Sequence, residues 1–352
     1  MKIAFFTPKF YPSRGGVEKH VEKVSESLFM EGCSVDIFVK CSACRAIEKQ
    51  PNYDKFSVIS YPTLKNFNSK ILRNFQYYLM LRRLLKGYDI VHIHDYEIFV
   101  SVLFLYRLFH PAKKIFITFH GWEGIFPPTL RSRVYRKLTD KLSNGNICIG
   151  EYICDVFGVS RDKISYGAVD VQPSSISLKS HNEKNIDFLF VGRIEKDTGI
   201  FEYLDFLSSL GLSCEYSFYI CGDGSCKDEI FSLCRKNGIK YEYMGWVEDL
   251  SPFYSRSKIV LTSGYLAILE AWANNSIVFS VYNNNLKERY LKSIPKYKTK
   301  LLFCSENADL VEDIIGGKNN LLVEKIRFNA HNWALLQTWS NMVGTYRDLW
   351  ND

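Results

Sequence analysis

Short apolar runs alternate along the chain with longer segments whose apolar positions recur at helical spacing. The runs are Lys2–Phe6, Ser34–Val39, Ile90–His94, Ile115–His120, Asn146–Ile149 and Lys163–Tyr166 in the first half. In the second half they are Asp187–Gly192, Ser217–Gly222, Tyr241–Gly245, Ile259–Ser263, Ser276–Tyr282 and Leu301–Cys304. Each has the length of a buried strand, and most are separated by one helix length. After the first run, for example, Val17, Val21, Val24 and Leu28 mark one helical face. This alternation predicts α/β architecture with parallel sheets, and it occurs twice. Between the halves, Val171–Asn185 is polar and serine-rich and reads as a linker. The expected organisation is two doubly wound, Rossmann-like domains, 1–170 and 171–330, facing across a cleft formed by the carboxyl ends of their strands. A helical C-terminal segment, 331–352, is long enough to pack back on the first domain.

Composition narrows the class. With 352 residues and 47% hydrophobic content the chain can bury two cores. It has no run of about 18 uncharged apolar residues, the length a membrane span needs. "KIAFFTPKF" opens the chain without the apolar region of a secretory signal, so a cytoplasmic location is expected, including the inner face of the membrane. Ten cysteines lie scattered, and the Cys41/Cys44 pair lacks a second pair at zinc-ribbon spacing, so no metal site is expected. The net charge of +7 is uneven, with Lys and Arg concentrated among aromatic and leucine residues between Lys65 and Lys141. Such segments either lie on an anionic bilayer or are ordinary amphipathic helices with solvated basic faces. They carry no nucleic-acid motif, and nucleic acid is not an expected partner.

Candidate chemistry begins at Gly15-Gly16, directly before a helix. Two glycines there serve either a tight turn or the approach of a phosphate to the backbone N–H groups of the helix N-terminus. Neither this pair nor "CGDGSCKDE" completes a G-x-G-x-x-G spacing, which disfavours dinucleotide binding.

Taken in order, "PSRGGVEKHV", "DIVHIHD", "ITFHGWE", "YGAVDV", "LFVGRIEKDTGI", "YICGDG" and "MGWVEDLSPFYSRSKIVLTSGYLAILEA", followed by a tryptophan-bearing closing helix, resemble the retaining glycosyltransferases of family 4, which have the GT-B fold. The resemblance runs over nearly the whole chain. It implies a metal-independent hexosyltransferase without a cofactor. Its donor would be a nucleotide-sugar, UDP- or GDP-linked, bound mostly by the second domain. Its acceptor, a glycan or lipid-linked hydroxyl of surface polysaccharide or glycolipid assembly, would be bound mostly by the first. Gly15 and Gly16 would then meet the donor diphosphate. Arg193 matches the arginine that holds the diphosphate, a role suited to a guanidinium's paired donors. The lysine that the family places just before the next glycine is replaced by Thr198, leaving Lys196 or Lys287 as substitutes. Glu270 matches the second Glu of the family's E-x7-E motif, an acceptor for ribose hydroxyls. The first Glu has no counterpart, since Thr262 stands in its place. Backbone N–H groups of Gly264, Tyr265 and Leu266 are further phosphate candidates. His120 matches the histidine beside the transferred sugar. His94 and Asp95 are placed on the acceptor side, with Trp122 and Glu123 at the same mouth. Retention without a carboxylate nucleophile implies a front-face route in which the leaving phosphate oxygen takes the acceptor proton. The missing Glu and Lys leave a catalytically inactive nucleotide-sugar-binding subunit as the alternative.

Overall fold

The computed structural model describes residues 1–11, 13, 15–41, 48–50, 54–64, 69–121, 126–170, 183–210, 216–295, 302–303, 311, 314 and 320–352. Trp122 and Glu123, and most of the predicted linker, lie outside the described residues. The chain divides into two compact units, Met1–Ser165 with Trp339–Asp352, and Tyr166–Thr338.

The first unit carries strands β1 (Lys2–Thr7), β2 (Ser34–Cys41), β3 (Glu48–Gln50), β4 (Ser57–Pro62), β5 (Ile90–His94), β6 (Ile115–Phe119), β7 (Asn146–Ile149) and β8 (Lys163–Ser165). They form one sheet in the order β3-β4-β2-β1-β5-β6-β7-β8, parallel except for β3. Its helices are α1 (Gly16–Met30), α2 (Lys70–Leu84), α3 (Tyr96–Ile98), α4 (Phe104–Phe109), α5 (Leu130–Leu142) and α6 (Tyr152–Phe157). Strands β5 and β6 are buried end to end and β1 beyond its first residue, as expected of a parallel sheet covered on both faces. Strands β3 and β4 were not expected. The stretch "EKQ" contains no apolar residue, and "SVISYP" interleaves polar positions with apolar ones, so neither stands out as a buried run.

The second unit has an all-parallel sheet ordered β11-β10-β9-β12-β13-β14, built from β9 (Ile186–Val191), β10 (Phe218–Cys221), β11 (Glu242–Gly245), β12 (Ser257–Leu261), β13 (Ile277–Phe279) and β14 (Leu302–Phe303). Its helices are α7 (Ile200–Ser209), α8 (Lys227–Lys236), α9 (Ser251–Tyr254), α10 (Tyr265–Ala273), α11 (Asn285–Lys292) and α12 (Asn320–Leu335).

The expected single C-terminal helix is instead divided. Helix α12 packs on α10 in the second unit, and α13 (Trp339–Asn351) belongs to the first. The chain breaks between them because the Gln337 carbonyl accepts the Val169 N–H at 2.8 Å and Thr338 bridges to Val169. Helix α13 buries Trp339, Met342, Val343, Tyr346, Leu349 and Trp350, an apolar face at helical spacing.

In each sheet the strand order reverses at one point, between β1 and β5 in the first and between β9 and β12 in the second. Doubly wound sheets bind ligands beyond the carboxyl ends of the strands at such a point. The loops of the second are drawn tight. Gly222, at φ +150, has the Gly192 carbonyl oxygen only 1.8 Å from where a Cβ would stand, so no larger residue fits between the ends of β9 and β10.

Candidate functional site

In the second unit, Arg193 follows β9 and its side chain is 60% exposed, paired with Asp197 at 2.8 Å. The Thr198 hydroxyl donates to the carbonyls of Arg193 and Glu195, which folds the intervening turn back on itself. Gly199, at φ +87, then opens α7. The Ser263 hydroxyl, after β12, donates to the Thr198 carbonyl at 3.0 Å and so ties together the two loops flanking the switch point.

Lys287, from the first turn of α11, donates through Nζ to the Ser263 carbonyl at 3.3 Å and lies 4.6 Å from the centroid of the Tyr290 ring. Burial lowers its pKa to about 8, with the Asp197 carboxylate opposing that shift and the Arg193 guanidinium adding to it. Arg193, Asp197 and Lys287 thus share one neighbourhood. Lys196 is exposed. Two like charges with one carboxylate between them leave a net cationic, partly desolvated spot at the strand ends, suited to an anion with several oxygens.

The helix end expected to add three N–H groups contributes fewer. The Tyr265 N–H is already taken by the Tyr290 hydroxyl at 2.8 Å, and the two tyrosine rings stack at 3.9 Å. Tyr265 is therefore a structural residue under α10 and not a phosphate contact. The Leu266 side chain packs under Gly167. Gly264 remains open, with nothing within 4 Å of where a Cβ would stand. Glu270 is half-buried on α10 and accepts from the Tyr254 hydroxyl at 3.1 Å. Thr262, which replaces the first Glu, is buried and donates to the Val191 carbonyl at 2.7 Å, so its hydroxyl serves the sheet. Glu195, absent from the sequence-based set, clamps the neighbouring loop by accepting from the Ser225 N–H at 2.8 Å and hydroxyl at 2.7 Å.

In the first unit the glycine pair differs from expectation. Gly15 is extended, at φ −173, and neither glycine has a positive φ, so the pair makes no left-handed turn. Gly15 is where the chain enters α1, and the Glu18 carboxylate lies 2.7 Å from where its Cβ would stand. Gly16 is exposed at the first helical position.

His94 ends β5 fully buried, so it cannot touch an acceptor directly. Its Nδ1 is 2.9 Å from Nε2 of the half-buried His120, which follows β6. Asp95 adopts φ 93, rare for a residue with a Cβ, and its carboxylate accepts the Tyr96 N–H at 2.7 Å. Two further histidines join this pair. His20 projects from α1 onto the His120 ring, with centroids 4.8 Å apart, and bonds the Tyr346 hydroxyl at 2.8 Å. His92 bonds Thr118 at 2.8 Å and accepts from the Trp350 indole N–H at 3.0 Å. Burial lowers the pKa of all four, that of His20 to about 3. The spacing of Val17, His20, Val21 and Val24 places His20 on the buried stripe of α1, a signal the charged neighbours obscure. Arg136, buried on α5 against Tyr96 and Phe157, donates to the Gly121 carbonyl beside His120 and is a second residue the sequence does not single out.

One nitrogen each from His20, His94 and His120 lies within 4.8 Å of the others, the one such grouping among the described residues. Metal ligation needs lone pairs converging on one point about 2.0–2.1 Å away. His94 and His120 instead bond to each other as donor and acceptor, an arrangement for orienting rings.

Residues 14–166 match the family described as Glycosyltransferase Family 4. The chain is 25% identical over 301 residues, 80% of its length and 78% of the other, to the Campylobacter jejuni GalNAc-alpha-(1->4)-GalNAc-alpha-(1->3)-diNAcBac-PP-undecaprenol alpha-1,4-N-acetyl-D-galactosaminyltransferase. Among solved structures it resembles sucrose-phosphate synthase of Thermosynechococcus elongatus, with TM-score 0.74, 13% identity, and coverage of 99% of this chain and 98% of that one. It also resembles Anabaena HepE in complex with UDP, with TM-score 0.68, 14% identity, and coverage of 99% and 100%. The structural likenesses show the fold, which is GT-B, and the family match covers residues 14–166 of the chain.

Proposed function

We propose that the chain transfers a sugar from a nucleoside diphosphate sugar to a hydroxyl of a glycan or lipid-linked acceptor, with retention at the anomeric carbon, in the assembly of a surface polysaccharide or glycolipid. The observation that carries this reading is the gathering of Arg193, Lys287 and the open Gly264 at the switch point of the second sheet. As the glycosidic bond breaks, the departing diphosphate gains negative charge. Arg193 has directed N–H donors for it, and Lys287 adds the cation that Thr198 cannot. Glu270 accepts from the ribose hydroxyls. In the first unit, Gly16 offers the start of α1 to the diphosphate, and His120 contacts the transferred sugar. With no carboxylate assigned as nucleophile, the phosphate oxygen takes the acceptor proton, and the protein supplies position and charge, with no metal ion. The UDP seen with HepE and the undecaprenol-linked substrate in the Campylobacter enzyme's name favour a UDP-sugar and a lipid-linked acceptor.

A membrane-proximal acceptor accords with the surface of α2. Leu72, Phe75 and Leu79 are exposed along one stripe that continues into exposed Arg82, Arg83 and Lys86. Tyr78 meets Phe109 of α4 at 4.9 Å, which joins exposed Leu108 and Phe109 to the same patch. An apolar stripe ending in cations suits an anionic bilayer surface. No helix among the described residues is long and apolar enough to cross a membrane.

A thermal-shift screen against UDP-, GDP-, ADP- and CMP-sugars tests the donor assignment, since a ligand of the native state raises the melting temperature. A rise with UDP- or GDP-sugars that Arg193→Ala abolishes is expected. No rise with any of them would reject the reading. Binding without release of nucleoside diphosphate would instead identify an inactive subunit.

A further inference from the structure

The buried histidines of the first unit form a chain of hydrogen bonds whose direction can be worked out from one end. The indole nitrogen of Trp350 can only donate, and it donates to His92 Nδ1 at 3.0 Å. Burial holds His92 neutral at pH 7, and a neutral ring that accepts at Nδ1 carries its proton on Nε2. That N–H donates to Thr118 Oγ1 at 2.8 Å. The Thr118 hydroxyl proton is then directed to the Tyr346 oxygen at 3.0 Å, and the Tyr346 proton to His20 Nε2 at 2.8 Å. His20, likewise held neutral by burial, accepts at Nε2 and so carries its proton on Nδ1.

The His94–His120 pair can be wired in two ways. If His120 Nε2 donated, the His94 proton would sit on its own Nε2. Among the described residues that atom is buried without a hydrogen-bond partner. An N–H buried without an acceptor is among the rarest defects of folded proteins, and it costs more than an unused lone pair at the same place. The favoured wiring has His94 Nδ1–H donating at 2.9 Å to His120 Nε2. The proton of His120 is thereby sent to Nδ1.

We propose that the first unit presents His120 to its substrate as an Nδ1–H donor, with His94 as the positioning residue that sets this tautomer, and that the chain from Trp350 sets His20 in the same form. The inference rests on the reading of His120 as the sugar-contacting residue and adds what that residue can do. An N–H at this position donates to a hydroxyl or ring oxygen of the sugar and cannot accept a proton from it. His120 is thus a binding group and not a general base, which leaves the acceptor proton to the departing phosphate. It also gives α13 a role, because its Trp350 and Tyr346 close the chain onto strands β5 and β6.

The test is a long-range proton–nitrogen NMR spectrum of full-length protein with ¹⁵N-labelled histidine at pH 7 and no ligand, the seven histidines assigned by single substitutions. Expected are Nδ1–H forms for His20, His94 and His120 and an Nε2–H form for His92. His120 in the Nε2–H form, or any of the four as imidazolium, would overturn the proposal. Of the variants, His94→Asn keeps an N–H donor and should hold His120 in the Nδ1–H form, whereas His94→Leu should release it toward Nε2–H. Trp350→Phe should release His92 from its single form. An unchanged His120 in His94→Leu or an unchanged His92 in Trp350→Phe would contradict the wiring, and the wild-type spectrum stands if a variant does not fold. Because the tautomers are read without substrate, the two readings fail separately. The wrong form in an enzyme that transfers sugar sinks only the wiring, and the expected form in a protein that binds no nucleotide-sugar sinks only the functional reading.

Discussion

Replacing Lys287 by methionine should remove a cation from the proposed nucleotide site and make the unliganded protein more stable. The side chain keeps its ammonium half-buried at 3.3 Å from the Ser263 carbonyl, and its pKa falls from 10.5 to about 8. A shift of that size corresponds to an upper bound of about 3 kcal/mol for holding the charge in the folded state, at about 1.36 kcal/mol per pH unit. Residual solvent contact reduces this to about 1–3 kcal/mol. The unfolded chain binds the proton more tightly, so the burden is fully present below pH 8 and is relieved as pH rises from 8 toward 10.5. Lys287→Met should therefore raise the melting temperature at pH 7, by about 2–4 °C per kcal/mol for a unit of this size. The same change should weaken UDP binding about 10- to 100-fold, the worth of a charge-assisted hydrogen bond of about 1.5–3 kcal/mol. Calorimetric titration with UDP from pH 6.5 to 9.5 provides the assay. Wild-type affinity should decline above pH 8 as the lysine loses its proton, and the variant should lack that decline. Lys196→Ala should bind UDP within about twofold of wild type, since its exposed ammonium is cheaply replaced by solvent. A Lys287→Met protein that is no more stable and binds UDP as tightly as wild type would refute the reasoning.

Three further outcomes follow from the geometry. Gly222→Ala should cost about 3 kcal/mol or more, because its Cβ would stand 1.8 Å from the Gly192 carbonyl oxygen at a φ of +150, and chemical denaturation measures the loss. Acid should destabilise the first unit. The folded pKa values of His20, His92, His94 and His120 lie below the ordinary value of 6.5, so their contribution is intact above that value and is lost progressively as pH falls below it, each proton steepening the decline by up to about 1.4 kcal/mol per pH unit. Melting curves from pH 7 to pH 4 check this. Phe75→Asp with Phe109→Asp should reduce co-sedimentation with anionic vesicles several-fold, and wild-type binding should weaken as salt rises, as surface electrostatics requires. Binding unaffected by either would contradict the docking face on α2.

Much of this architecture is written in the chain because parallel strands, buried on both faces, appear as unbroken apolar runs. Strand β3 escapes that signal because an edge position needs less burial and tolerates polar residues, and β4, paired on both sides, escapes it because serines interrupt its apolar positions. Arg193 is legible for the opposite reason, since a cation at the end of an apolar strand has few structural uses. That Lys287 lies beside Arg193 and Asp197 is not legible, because it depends on α11 returning its first turn to the β12 loop, a contact spanning 24 residues of sequence. The occupied state of the Tyr265 N–H is hidden for a similar reason, since Tyr290, 25 residues away, supplies its acceptor. His94 and His120 were recognised as strand-end residues. Their partnership with His20 and His92 requires α13 to close over the first sheet, and local pattern does not encode that.

The central claim is met most directly by incubating the protein with a panel of UDP- and GDP-sugars and following, by NMR, the release of nucleoside diphosphate and the anomeric configuration of the transferred sugar. The account predicts release with at least one donor, a product that keeps the donor's configuration, and loss of turnover by about 100-fold or more in Arg193→Ala. An inverted product, or turnover indifferent to Arg193→Ala, would contradict it.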